Sequence, residues 1–409
     1  MSEPDERVLA ETLRREVGPV VAFLHRRIGD FDLAEEAGQE AVVAALLAWR
    51  RDGVPDNPAA WLTVTARRRA IDLMRRRGTE QRALDLLGRP GGSIAAPADP
   101  ADAAGPSELD ERVAMLFGCC HPSLAVEARL ALTLRAVVGL TTAQVAEAFL
   151  VPEATLAQRI VRAKRKIVSA GIPLRIPEDD LAARLDDVLT VIYLTYNAGF
   201  LEPTGPAVTS LSQDALWLAE LVTARLAEEP EAWGLLALLT LQHSRAGARF
   251  GAAGELVLLA DQDRTRWDAT AIAAAERYLE RAAAHRRPGR FQLQAAIAAC
   301  HAQAPSWAAT DWLQILTLYD LLVRHDDSPV VRLNRAIALA EHSGPAAALA
   351  QTDALLPRLA DYHLLHATRA SLLRRLGRPD AARAADRRAL ELARRPVEQN
   401  LLRARLGTP

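Results

Sequence analysis

Arginine, glutamine and threonine side chains recur along one stripe of the segment 153–167, where their spacing suits the binding of nucleic acid. On a helix this stripe comprises Thr155, Gln158, Arg159, Arg162 and Lys166, and the opposite, apolar stripe comprises Leu156, Ile160, Ala163 and Ile167. From Gln158 to Lys166 there are five basic residues and no acidic one. Guanidinium and amide groups hydrogen-bond to base edges and phosphates, so the pattern predicts a DNA-reading helix. The alternative is a packed helix with a solvated basic face.

A second, shorter helix is predicted immediately before this one. Thr141 followed by Gln144 is the pattern of a capping box, in which the two side chains bond reciprocally to backbone N–H groups. Pro152 cannot continue that helix but suits the first turn of the next. The stretch from Gly139 to Ile167 is therefore predicted to be a helix-turn-helix.

Two further charged segments lie near the N-terminus. The segment 32–49 predicts an amphipathic helix with an acidic, glutamine-bearing outer face. The segment 59–77 predicts a helix in which six arginines oppose the single acid Asp72. So dense a positive charge repels itself unless an anion relieves it, and phosphates are the obvious candidate.

The composition favours an all-α protein. Of the 409 residues, half are hydrophobic and a quarter charged, and no sustained apolar/polar alternation of strand type is present. The three cysteines suit a reducing compartment, and no apolar run is long enough to span a bilayer. We therefore expect a cytoplasmic protein that contacts no membrane and needs no cofactor.

Four regions are predicted along the chain. Residues 1–78 and 109–172 form two small helical domains, residues 79–108 a Gly- and Pro-rich flexible linker, and residues 180–409 a helical extension. Within the extension Ala336, Leu339, Ser343 and Ala348 recur 34 residues later as Ala370, Leu373, Gly377 and Ala382. That period is typical of tetratricopeptide helix–turn–helix units, so an α-helical repeat domain is predicted. An irregular helical bundle is the alternative.

The order of these features resembles a known family. "DLAEEAGQEAV", "NPAAWLTVTARRRAIDLMRRR" and "GLTTAQVAEAFLVPEATLAQRIVRAKRKI" resemble region 2 and region 4 of RNA polymerase sigma factors of the sigma-70 family. Together with "LFGCCHPSLAVEARLALTLR" and "YHLLHATRASLLRRLGR", almost the whole chain is similar to extracytoplasmic-function sigma factors that carry a long tetratricopeptide-like extension. The resemblance implies a non-enzymatic protein that binds core RNA polymerase and directs transcription initiation from promoter DNA.

The resemblance also implies roles for individual residues. The residues expected to face the clamp helices of the largest polymerase subunit are Asp32, Glu35, Glu36, Gln39 and Glu40. Those expected at the −10 element are Asp56, Asn57, Trp61, Arg67 and Arg68, although Trp61 suits a core position equally well. Those expected at the −35 element are Glu153, Thr155, Gln158, Arg159, Arg162, Arg165 and Lys166. The extension is expected to modulate activity through a protein or small-molecule ligand.

Three other clusters contain residue types that could form a chemical site. "CCHP" at 119–122 lacks a second ligand pair at zinc spacing, so no metal is predicted there. The acids and arginines of 255–268 have no nucleophile or phosphate loop beside them and predict a salt-bridged loop that stabilises the extension. His363 and His366 have the spacing of a metal pair, but histidines of the core or a groove are far commoner.

Two other functions remain open from the residues alone. A helix-turn-helix transcription regulator with a repeat-type sensor domain, or a tetratricopeptide-type interaction scaffold, would each use part of the chain. Neither function explains why an acidic helix and an arginine-rich helix are paired before the linker.

Overall fold

The described part of the chain is built from helices and the loops that join them. A computed structural model describes residues 13–76 except 14, 15, 19, 22 and 26, residues 108–172 except 150, and residues 181–201 and 210–407. Among these residues no strand occurs, and the β pairing present is one isolated bridge between Phe250 and Leu256. The all-α prediction is confirmed. The predicted linker lies outside the described residues except for its last position.

The chain forms two compact units, Met1–Ala198 and Gly199–Pro409. In the first unit the described residues between 13 and 28 are helical. They are followed by α1 (Phe31–Asp52), α2 (Pro58–Arg76), α3 (Glu108–Cys119), α4 (Val126–Leu132), a π-helical segment (Thr133–Val138), α5 (Thr142–Ala148), α6 (Glu153–Ser169) and α7 (Leu181–Gly199).

Helices α1 and α2 pack as a pair because their facing sides carry small residues. Asp30 caps α1 by accepting a hydrogen bond from the Leu33 backbone N–H at 3.0 Å, and Gly53 ends it with a φ of 85°. The buried stripe of α1 comprises Leu33, Ala34, Ala37, Ala41, Ala45 and Trp49. The buried stripe of α2 comprises Leu62, Ala66, Ala70, Leu73 and Met74. The alanines bring the two backbones close.

Helices α3 to α6 build a second small core. The π-helical segment continues α4 and ends at Gly139, whose φ of 86° is left-handed and suits glycine. The chain then reverses into the α5–α6 pair. Leu116, Phe117, Leu132 and Leu134 are fully buried in this core.

Helix α7 also belongs to the first unit. Its Arg184 donates to the Phe117 carbonyl at 2.8 Å, and its Asp187 forms an ion pair with Arg129 of α4. Arg129 in addition donates to the carbonyls of Pro122 and Leu124, each at 2.8 Å. These bonds attach α7 to the loop that follows α3. The sequence-based domain limits, with the extension starting at 180, remain predictions.

The second unit is a run of helices joined by short loops. They are α8 (Leu211–Arg225), α9 (Pro230–Ser244), α10 (Ala269–Ala284), α11 (Arg290–Gln303), α12 (Trp312–His325), α13 (Pro329–Ser343), α14 (Pro345–Ala354), α15 (Leu356–Leu359), α16 (His363–Arg375), α17 (Pro379–Leu392) and α18 (Pro396–Leu406). Proline occupies the first turn of several of them, where its missing N–H costs nothing.

The recurrence of 34 residues corresponds to two helix–turn–helix pairs. The first is α13–α14 and the second is α16–α17. The repeated alanines of these helices are all fully buried, namely Ala336, Ala348, Ala370 and Ala382. At the two turns Gly344 and Gly377 have φ values of 91° and 69°. Assignment to the tetratricopeptide class remains a prediction.

Candidate functional site

Helix α6 has the two faces that its sequence predicts. Its buried residues are Leu156, Ile160, Ala163 and Ile167. Six of the seven predicted −35 residues are exposed, and Arg159 is half-buried. Lys166 also donates through its ammonium group to the Ser123 carbonyl. The helix therefore presents guanidinium, amide and hydroxyl groups to solvent from a rigid, packed base.

Helix α5 begins with the predicted capping box. The Thr141 backbone N–H donates to Gln144 Oε1 at 2.8 Å, and the Gln144 backbone N–H donates to Thr141 Oγ1 at 3.2 Å. Val145 and Ala146 are buried. The cap fixes where α5 starts, and the short turn at Val151 and Pro152 then leads into α6.

The loop before α2 is held by Asn57. Its Oδ1 accepts from the Ala60 backbone N–H at 3.0 Å, which makes Asn57 the cap of α2, while Asp56 is exposed. Trp61 is half-buried with its ring edge-on to Trp49, at a centroid distance of 5.4 Å and an interplanar angle of 67°. Two of the predicted −10 residues thus have structural partners, and their role at DNA stays a prediction.

The three consecutive arginines of α2 point in different directions. Arg68 is exposed and Arg67 half-buried, whereas Arg69 faces Glu40 of α1 with an N–O distance of 3.7 Å. Since one helix face cannot hold three consecutive residues, Arg67 and Arg68 remain the candidates for a nucleic-acid backbone.

A groove lies along the predicted polymerase-facing side of α1, between this helix and α2, and is called the outer groove below. This groove has a volume of about 670 Å³ and is lined by Glu36, Gln39, Glu40, Val43, Ala44, Leu47, Ala48, Arg51, Arg69 and Arg76. Val43 and Leu47 are 58% and 72% exposed, which is unusual for large apolar side chains on neighbouring turns. Sequence reasoning missed both. Val43 and Leu47 follow Gln39 by four and eight positions, that is, by about one and two helical turns. This spacing puts them on the same face of α1 and could have revealed them in the sequence.

The inner part of the same side is contacted by two cations, which cover Glu35 and leave the Asp32 side chain 74% exposed. Lys164 of α6 forms ion pairs with Glu35 and, at 3.2 Å, with Asp32. Arg135 of the π-helical segment reaches the other oxygen of Glu35 at 2.9 Å. The Lys164 and Glu35 side chains are only 12% and 17% exposed. Two of the five predicted polymerase-facing residues therefore contact the block formed by α3 to α6, which contains the helix-turn-helix and is called the helix-turn-helix block below.

The cysteine and histidine clusters are engaged in packing. Cys119 and Cys120 are buried, and Cys120 Sγ lies 3.5 Å from Thr133 Oγ1. Burial raises the pKa of the Cys120 thiol to about 12 and that of Cys119 far above its usual value. His363 Nε2 lies 3.0 Å from Glu398 Oε1. Within the described ranges no three His, Cys, Asp or Glu side chains are grouped to hold a metal ion.

The segment 255–268 holds three helices of the second unit together. Asp268 caps α10 through the Ala271 N–H at 2.9 Å, and Asp263 caps a short 3₁₀ turn through the Thr265 N–H at 3.0 Å. Arg264 donates to the carbonyls of His301 and Ala304 at the end of α11, and Arg266 to that of Gly247. The acids bond to backbone N–H groups and the arginines to carbonyls, so these side chains hold the loop through the backbone rather than through the predicted salt bridges.

None of the helices in the described part of the chain is both long and apolar enough to cross a bilayer.

Comparisons with known proteins find three families along the chain. Sigma-70 region 2 matches residues 12–80, Sigma-70 region 4 matches residues 114–167, and a family of unknown function, DUF6596, matches residues 184–283. A curated relative, the uncharacterized protein R00370 of Rhizobium meliloti (strain 1021), is 45% identical over 389 residues, which cover 94% of this chain and 91% of the relative. No solved structure matches the chain.

Proposed function

The chain belongs to the sigma-70 family, and on that premise we propose that it is a sigma factor that binds core RNA polymerase and reads both the −10 and the −35 elements of its promoters. The observation that carries the proposal is the packing of α6. Its apolar stripe is fully packed while its predicted base-reading side chains stand in solvent, at the end of a capped helix-turn-helix. Members of the family initiate transcription and are not enzymes, so no catalytic role is assigned.

In this proposal Gln158, Arg159 and Arg162 read base edges in the major groove at the −35 element. Glu153 and Thr155 contact the neighbouring bases, while Arg165 and Lys166 neutralise phosphates. The support is that these side chains project from one helix whose other face is anchored. A recognition helix needs that combination, because a mobile helix cannot hold donors in register with base edges.

At the −10 element, Arg67 and Arg68 track the backbone of the separated strands. Asp56 and Asn57 then form the loop that receives an unstacked base, with Trp61 beneath it. The exposure of Asp56 and Arg68 supports this assignment. The edge-on contact of Trp61 with Trp49 would hold that loop in place.

The polymerase binds α1 in this proposal. The outer groove adds Val43 and Leu47 to the acidic residues and Gln39, so that a polar rim surrounds an apolar centre. Protein interfaces with this arrangement gain affinity from the apolar centre. The rim carries both charges, with Glu36 and Glu40 beside Arg51, Arg69 and Arg76, and complementary charges on the partner would steer association. The clamp helices of the largest polymerase subunit are the partner that the family relationship suggests.

We assign the chain to the extracytoplasmic-function class, acting in the cytoplasm with the polymerase. The matched region 2 ends at residue 80 and the matched region 4 begins at 114, which leaves room for a linker and for no further sigma region. The helical extension is assigned a regulatory role. A pocket of about 440 Å³ between α12, α13 and α14, lined among others by Asp320, Arg332, Arg335 and Gln351, is a candidate site for its ligand.

Run-off transcription with purified core polymerase, on the promoter region upstream of the protein's own gene, tests the proposal. Wild-type protein is expected to give defined start sites, and the double variant Arg159→Ala/Arg162→Ala to abolish them, because each base-reading arginine supplies roughly 1–3 kcal/mol of discrimination. The matched control is Arg383→Ala/Arg387→Ala, which removes two exposed arginines of α17. Tight binding to duplex DNA without polymerase, and no initiation, would support a classical regulator instead.

A further inference from the structure

The acidic end of α1 is bound by the helix-turn-helix block of the same chain. Glu35 lies between two cations, Lys164 and Arg135, and Asp32 lies 3.2 Å from Lys164. Glu35 and Lys164 are 129 positions apart in sequence, so this contact joins the two predicted sigma domains and is not a local pair on one helix.

Two other contacts join the same two blocks. Glu16 pairs with Arg112 of α3 at 3.2 Å, and Arg112 has only 9% of its side chain exposed. Gly18 lies against the π-helical segment so closely that a Cβ there would sit 3.1 Å from the Val137 carbonyl oxygen and 3.2 Å from that of Ala136. Backbone therefore approaches backbone beside the ion pairs. Ion pairs that are shielded in this way are screened less by salt than surface pairs.

Lys164 is not one of the predicted DNA-reading residues. It lies at the edge of the buried stripe of α6, on the side away from Arg159, with its ammonium group directed to the two carboxylates. The chain has only two lysines, at 164 and 166, and 48 of its 50 basic residues are arginines. The position thus has a compact ammonium that reaches Asp32 and Glu35 together, where a planar guanidinium would favour one carboxylate.

We propose that the acidic end of α1 is a shared docking surface, occupied by Lys164 and Arg135 in the free protein and by core RNA polymerase during initiation. The two states exclude each other because Glu35, whose two oxygens pair with Lys164 and Arg135, cannot pair with the polymerase at the same time. The free protein is closed, and the polymerase must displace the helix-turn-helix block before α1 can be fully engaged. The inference rests on the proposed binding of polymerase to α1.

The closed state lowers the apparent affinity for polymerase in proportion to the fraction of molecules that are open. The outer groove with Val43 and Leu47 remains available in the closed state. A first encounter at this groove, followed by displacement of Lys164 and Arg135, would then release α6 to reach the −35 element.

Zero-length carbodiimide crosslinking of the full-length protein tests the contact itself. The reagent joins an amine to a carboxylate only when the two touch, and the two-lysine composition makes the product easy to assign by mass spectrometry. We expect a Lys164–Glu35 or Lys164–Asp32 crosslink in the free protein and its loss after pre-incubation with core polymerase. A free protein without this crosslink, or a crosslink that persists in the polymerase complex, would overturn the inference.

Affinity for core polymerase tests the consequence. The variant Lys164→Gln/Arg135→Gln is expected to bind core about 5- to 50-fold more tightly than wild type, because it is no longer held closed. Lys164→Arg keeps the charge but pairs with one carboxylate, so its affinity is expected to lie between those of wild type and the glutamine variant, closer to wild type. Arg383→Ala/Arg387→Ala controls for net charge. Equal affinities for wild type and the glutamine variant, with helix content unchanged by circular dichroism, would refute the competition.

The two hypotheses can fail separately. If the crosslink forms but neither wild type nor the glutamine variant binds polymerase, the proposed function is wrong. The competition is then also wrong, although the contact between Lys164 and α1 exists. If polymerase binds but the crosslink never forms, the sigma function stands and the shared surface is wrong.

Discussion

At the residue scale, the half-buried His301 of the second unit lies against two tryptophan rings. Its ring stacks on Trp307 at 5.8 Å and meets Trp312 edge-on at 5.3 Å. Burial, together with the positive charges of Arg245 and Arg264, lowers the pKa of His301 to about 4. The imidazole is therefore neutral in the folded protein at neutral pH.

This lowered pKa predicts a loss of stability in acid. The unfolded chain takes up a proton near the ordinary pKa of about 6.5, whereas the folded chain does so only near 4. The free energy of unfolding should be unaffected above pH 6.5 and fall by roughly 3 kcal/mol as the pH decreases to 4. Urea unfolding of wild type and His301→Phe at pH 7.5, 5.5 and 4.5 measures this decrease in the free energy of unfolding. The variant should lose this part of the pH dependence, and parallel curves would contradict the assignment.

Individual residue roles were predictable where the partner is close in sequence. The Thr141–Gln144 cap is confirmed because both side chains bond within a single turn. The partners of Glu35 were not predictable, because no local spacing relates it to Lys164. Asn57 was expected at DNA, and its cap to Ala60 shows a structural role that the Asn-Pro sequence itself suggests.

At the element scale, α9 and α11 approach each other at a glycine. A Cβ on Gly234 would lie 2.7 Å from both the backbone nitrogen and Cγ of Gln292, and 3.1 Å from its Cα. That backbone is also held by Glu231, whose carboxylate accepts from the N–H groups of Phe291 and Gln292 at 2.8 and 3.1 Å. The start of α11 therefore has little freedom to move away.

Gly234→Ala should consequently lower the free energy of unfolding by about 1–3 kcal/mol, although alanine alone favours a helix by about 1 kcal/mol over glycine. Gly247→Ala is the matched control, since its nearest neighbouring atom, the Arg266 carbonyl oxygen, is 3.9 Å away. Its effect is expected within about 0.5 kcal/mol. Chemical denaturation compares the two. A neutral or stabilising Gly234→Ala would mean that α11 shifts freely.

The helices themselves followed from periodicity. The buried stripe of α6 consists of the four residues that the spacing indicated, and the 34-residue recurrence corresponds to two matching helix pairs. Periodicity does not say which elements share a core. Helix α7 follows the proline-rich boundary near residue 180, yet Arg184 and Asp187 attach it to the first unit through partners about 60 positions earlier.

At the scale of the whole molecule, the two compact units have very different tryptophan contents. Trp49 and Trp61 lie in Met1–Ala198, and the other five tryptophans lie in Gly199–Pro409. Fluorescence therefore reports mainly on the second unit, whereas circular dichroism reports on the helices of both.

Because each unit has its own core, we expect unfolding to depart from a single two-state transition. Urea titrations followed by fluorescence and by circular dichroism should have different midpoints, and Gly234→Ala should shift mainly the fluorescence curve. Coincident curves for wild type and variant alike would show that the two units unfold as one.

All three thiols of the chain, Cys119, Cys120 and Cys300, are buried, and burial raises the pKa of each. Alkylating agents and peroxides attack the thiolate, which is scarce in these sites at neutral pH. The sulfur atoms become reactive only when the surrounding helices separate. An irreversible label on one of them would therefore show that the molecule had once opened at that position. Two of these thiols report on the first unit and one on the second.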